Sequence, residues 1–125
     1  MERINALFLS DVHLGSKGCK AEKVMEVLKK YNPKYLFLVG DFIDGWLLQS
    51  RPYWPQSHVN VLQKVLKMSK KGTKVIYITG NHDDFLRKYE DLSFGNISVV
   101  DEYIFKKYYI VHGDFFDGVV KMRWL

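Results

Sequence analysis

A chain of 125 residues is long enough for one domain with a real core and too short for two ordinary ones. Its 47% hydrophobic and 26% charged residues are globular proportions, and no run approaches the roughly 18 apolar residues that a membrane helix needs. Cys19 is the only cysteine, which excludes an internal disulfide and a cysteine-rich zinc site and leaves an expected inert thiol.

The start, "MERINALFLSDVHL", offers only the short apolar block Ala6 to Leu9, too brief for the core of a secretory signal, so a cytoplasmic location is expected. Ile4 to Leu9 is the first predicted strand. In "CKAEKVMEVLKKY", Ala21, Val24, Leu28 and Tyr31 share one helical face, and Asn32 with Pro33 stops the helix. Tyr35 to Val39 is the second strand. A second helix is expected over roughly His58 to Lys71, burying Val59, Leu62, Val65 and Leu66, turning Lys64, Lys67, Lys70 and Lys71 outward, and closing at Gly72. Val75 to Ile78, Ile97 to Val100 and Tyr108 to Val111 complete five strand patterns, most of them continuous rather than alternating, as suits strands covered on both faces. In "DEYIFKKYYIVHGD" two short patterns flank Lys106 and Lys107 with no room for a helix, which predicts an antiparallel hairpin. The final "FFDGVVKMRWL" reads as the beginning of a helix. Strands alternating with helices predict an α/β domain with largely parallel pairing.

Four of these strands end in polar, chemistry-bearing residues: "LFLSDVH", "LFLVGDFID", "IYITGNHDD" and "YYIVHGD". Ligands of open α/β sheets bind at the carboxyl ends of the strands, so the four segments are expected to converge. Two carboxylates about 4 Å apart repel by roughly 4 kcal/mol at an effective dielectric of about 20. No Lys or Arg lies inside the segments through Asp84, so a metal ion is the expected counter-charge. Asp and Asn oxygens with imidazole nitrogen suit manganese, iron or zinc and fit calcium poorly, and two ions sharing one Asp are the arrangement of two-metal phosphate-ester hydrolysis.

"SDVHLG", "GDFIDGW", "GNHDDF" and "VHGD", in that order at intervals of about 30 to 40 residues, resemble the metallophosphoesterase (calcineurin-like) superfamily. From Phe8 through Asp117, including "SDVHLGSKGCKAE" and "YWPQSH", the chain is similar to the branch of UDP-2,3-diacylglucosamine hydrolases of lipid A synthesis. The resemblance implies a layered β-sandwich flanked by helices, of which residues 1–125 would form a single partial domain, about the N-terminal half. It implies two divalent metal ions, manganese first with iron or zinc as alternatives. Asp11 and His13 would bind the first, Asp41 would bridge, and Asn81 and His112 would bind the second. His82 would stabilise the transition state or protonate the leaving oxygen, steadied by Asp44, during in-line attack on phosphorus. Family members also carry a later Gly-His-X-His segment, whereas the histidines here stand only at 13, 58, 82 and 112. The better-known hydrolases of the pathway have Arg where His82 stands.

The function so implied is a metal-dependent phosphoester or pyrophosphate hydrolase acting on a phosphorylated, nucleotide-linked glycolipid, impaired as an isolated chain. The alternative is an inactive remnant or split-protein half that binds metal, or a partner such as a missing C-terminal half. Nineteen basic against fourteen acidic residues give a net charge of +5. Seven of the acidic groups, Asp11, Asp41, Asp44, Asp83, Asp84, Asp114 and Asp117, lie at or just after strand ends. The remaining surface is therefore basic, which suits phosphate groups or peripheral contact with an acidic inner membrane face, although scattered lysines also serve solubility alone. Nucleic acid rests on that charge alone and is disfavoured. His58, near a helix start, reads as structural. Trp46, Tyr53 and Trp54, with Leu47 and Leu48, read as core packing beneath a loop before they read as a surface for acyl chains.

Overall fold

The computed structural model describes residues 1–43, 55–79, 92–111 and 121–124. In chain order these form β1 (Glu2–Ser10), α1 (Ala21–Lys30), β2 (Tyr31–Val39), α2 (Gln56–Lys70), β3 (Lys74–Ile78), β4 (Leu92–Phe94), β5 (Ile97–Val100), β6 (Glu102–Phe105), β7 (Tyr108–Val111) and β8 (Lys121–Trp124). A five-stranded sheet has the order β1-β2-β3-β5-β4, and β6, β7 and β8 make a second, three-stranded sheet. β1, β2, β3 and β5 run parallel, joined in pairs by crossovers; β4 is antiparallel to β5. The chain is thus an α/β domain with a mostly parallel sheet, as expected.

Why the central strands lack alternation follows from what covers them. Leu36, Leu38, Val75, Tyr77 and Val99 face one core with Leu28 of α1 and Val61, Val65 and Met68 of α2. Phe37, Val39, Ile76 and Ile78 face the opposite side, where Ile110 is buried and Tyr103, Phe105 and Tyr108 pack against them. The layers are therefore helices, parallel sheet, antiparallel sheet. Phe37 sits amid four rings: it stacks on Phe8 at 4.6 Å, lies 6.2 Å from Tyr35, and meets Tyr103 and Phe105 edge-on at 5.5 and 5.0 Å. Such pairs contribute about 0.5–1.5 kcal/mol each beyond the area they bury.

Three sequence readings are corrected. β8 is a strand where a helix start was expected, and it pairs antiparallel with β7 from Tyr108↔Trp124 to Val111↔Lys121. The order Lys-Met-Arg-Trp has the two-residue period of a strand, and the edge of β7 supplies backbone partners. β4 was not anticipated; Gly95, with φ of 61°, and Asn96 make the two-residue turn between Phe94 and Ile97. In α2 the buried line is His58, Val61, Val65, Met68 and Ser69, and Leu66 is exposed. The true stripe is rotated from the expected one, so Val61 and Met68 replace Val59 and Leu66 in the core. The Lys106–Lys107 hairpin is present, with Phe105 opposite Tyr108 and Lys106 at φ 56°. Among the described residues no helix is long and apolar enough to cross a membrane.

Candidate metal centre

Parallel pairing of Ser10 with Val39 brings the ends of β1 and β2 to one edge of the sheet. Beyond that pair the two chains leave the extended conformation but stay laced together. The Asp11 amide donates to Gly40 O (3.2 Å), His13 to Asp41 O (2.8 Å) and Leu14 to Phe42 O (2.7 Å), and parallel pairing resumes at Leu14↔Ile43. Gly40 N in turn donates to Ile78 O (2.6 Å), tying the turn to the end of β3. Leu14 and Phe42 are buried below the turn and fix its depth. The Ile43 amide donates to the Tyr77 hydroxyl at 3.2 Å.

Backbone conformation singles out the same residues. Among the described residues, only four that are not glycine have positive φ, and three of them are Asp11 (55°), His13 (56°) and Asp41 (50°). The left-handed region costs an L-residue roughly 1–2 kcal/mol, and Asp and His are among the types found there most often. Three such residues in two adjacent turns are held by the lacing and by the buried Leu14 and Phe42. Strain of this kind collects at functional sites.

Its product is a cluster. One carboxylate oxygen each from Asp11 and Asp41 and an imidazole nitrogen of His13 lie within 4.8 Å of one another. His13 Nε2 is 3.9 Å from Asp11 Oδ1. The Ser10 hydroxyl donates to Val39 O (2.8 Å) and lies 3.0 Å from Asp11 Oδ2. Asp41 is 5% exposed, Asp11 is exposed and His13 lies between, so the group grades from the core outward. Two oxygens and one imidazole nitrogen suit a first-row divalent cation, and a buried Asp41 carboxylate is the group that gains most from one. Asp11, His13 and Asp41 can therefore hold a metal ion. A cleft of about 450 Å³ opens beside them between the end of β1 and the start of α1, bordered by Phe8, Asp11, Val12, Lys20 and Val24.

Of the other residues proposed for the site, Asp44, Asn81, His82 and His112 lie outside the described residues, as does the aromatic group Trp46, Tyr53 and Trp54. β3 does run parallel to β2 and ends at the same edge, and Thr79 beyond it is fully buried. Burial pushes the partly buried Cys19 thiol up from its ordinary range, which agrees with an inert role.

His58, in the first turn of α2, is 3% exposed, and its Nδ1 accepts the Gly15 amide at 3.0 Å. Burial lowers its pKa, and the Glu22 carboxylate opposes that shift. Nothing local in the sequence announces a bond across 43 positions; the only signal was a histidine beside the apolar face of a helix.

This geometry agrees with the comparisons. The chain belongs to the calcineurin-like phosphoesterase family, whose pattern matches residues 4–124. It is 27% identical over 123 residues to the UDP-2,3-diacylglucosamine hydrolase of Porphyromonas gingivalis, covering 90% of this chain and 47% of that one. The enzyme of the same name from Neisseria meningitidis is 26% identical over 118 residues, covering 87% and 48%. The chain thus spans about half the length of these relatives. Among solved structures, the Pseudomonas putida nuclease MPE matches with a TM-score of 0.53 and 27% identity over 86% of this chain and 53% of that one.

Proposed function

We propose that this chain is a metal-dependent phosphoester or pyrophosphate hydrolase whose substrate is a phosphorylated, nucleotide-linked glycolipid met at the inner face of the cell membrane. The observation that carries the reading is the Asp11–His13–Asp41 cluster, drawn together on left-handed backbone at the carboxyl edge of a parallel sheet. The family supports phosphoester chemistry, and the named relatives support the substrate class.

Asp11, His13 and Asp41 would hold one divalent cation, manganese in first place, and Asp41, Asn81 and His112 a second. Such ions, when bound, supply positive charge against phosphoryl oxygens and acidify water. The protein's own groups do the rest. His82 would protonate the leaving oxygen, with Asp44 orienting its ring. Lys20, at the cleft beside Asp11, offers a cation to the remaining phosphate or to a diphosphate bridge. The residues named give each proposed metal position three protein ligands.

The test is release of nitrophenol from a generic phosphodiester. Manganese should stimulate it and Asp41→Ala should abolish it; folded protein that shows no stimulation would remove catalysis from the account. A second reading, cleavage of nucleic-acid phosphodiesters, is favoured by the nuclease match and the net charge of +5. Cleavage of oligonucleotide in preference to a UDP-linked glycolipid would select it.

A further inference from the structure

We infer that His58 is a positioning residue for the metal centre, acting through the Gly15 amide. The inference rests on the reading of Asp11, His13 and Asp41 as ligands. Three consecutive amides leave the His13 segment, and each is captured: residue 13 by Asp41 O, residue 14 by Phe42 O and residue 15 by His58 Nδ1. The first two acceptors belong to the neighbouring turn, which Gly40 N to Ile78 O and Ile43 N to the Tyr77 hydroxyl tie to β3, so neither bond reaches the helical layer. The third belongs to α2, and it ties the His13 segment to the helical layer as well. Gly15, at φ 96°, directs its amide toward the imidazole, and with His58 buried no water replaces a lost acceptor without reopening the site.

The bond also specifies the ring. An Nδ1 that accepts carries no proton, so a neutral His58 holds its proton on Nε2. Among the described residues, the Glu22 carboxylate of α1 acts on this ring and raises its pKa against the effect of burial. Asn at 58 keeps an acceptor oxygen close to the place of Nδ1; Leu keeps bulk and removes the acceptor.

Partners behind metal ligands cost about 10–100-fold in affinity when removed, and His58, one step further back, belongs at the low end. The experiment compares wild type, His58→Asn and His58→Leu in the full chain by manganese titration and by amide exchange at residues 13–15. Leu should weaken manganese binding about tenfold and accelerate exchange at Gly15, while Asn restores both. A folded His58→Leu protein with wild-type affinity and a protected Gly15 amide would overturn the inference. Should the Leu variant not fold, nitrogen-15 spectra of wild-type His58 decide: a proton on Nε2 upholds the bond, and a proton on Nδ1 in the neutral ring overturns it. Wild type that binds no manganese but shows the expected exchange at Gly15 would sink the metal reading and leave His58 as the anchor of the loop.

Discussion

The middle of the parallel sheet and its carboxyl edge obey opposite rules. In the middle, Leu36, Phe37, Leu38 and Val39 are buried on both faces in relaxed extended backbone, and every side chain adds to stability. At the edge, one or two residues further on, Gly40 and Asp41 turn left-handed beside Asp11 and His13, and carboxylates approach each other. That edge is held by what lies behind it, namely Leu14, Phe42, Tyr77 and His58. The difference teaches that the core's surplus stability maintains a strained cluster of two carboxylates and an imidazole that has no packing use of its own.

Substitutions on either side should therefore move stability in opposite directions. The largest effect belongs to the middle: Phe37→Ala removes a ring with four aromatic neighbours and should cost about 3–5 kcal/mol, measured by urea unfolding. At the edge the sign reverses. Asp11→Gly relieves a left-handed Asp and thins the carboxylate cluster, so the metal-free protein should gain about 1 kcal/mol while manganese affinity falls. Loss of stability in that variant would show that the turn is not strained.

The smallest effect is a pH dependence through His58. Its folded pKa is lowered, chiefly by burial, below an unfolded value near 6.5. Between those values the unfolded chain binds more protons, so stability falls as pH falls. The contribution is fully present above about pH 6.5 and is lost as pH drops through the folded value. Melting of wild type should weaken more between pH 7 and 5 than melting of His58→Asn, which has nothing to protonate there. Parallel curves would remove His58 as the source.

Much of this was legible in the sequence, for reasons that also set the limits. Continuous apolar runs marked β2 and β3 because both faces are covered, and the polar residues that interrupt them marked the edge where Asp11, His13 and Asp41 meet. The hairpin was legible because Lys106 and Lys107 leave no room for anything longer. β8 was read as a helix, since strand pairing depends on an edge contributed by distant residues and a four-residue segment carries little period. α2 was placed correctly but its buried stripe was rotated, because Leu66 and Val61 are equally apolar and only packing against α1 and the sheet chooses between them. The bond from Gly15 to His58 had no local trace at all, and neither did the left-handed backbone, which depends on two strands leaving their pairing together.

The most direct measurement is a calorimetric titration of the ion-free protein with manganese, alongside Asp41→Ala. Saturable heat from the wild type that vanishes in the variant is the predicted result. A folded wild type that gives no heat, or a variant that binds equally well, would contradict the assignment of Asp11, His13 and Asp41 as a metal centre.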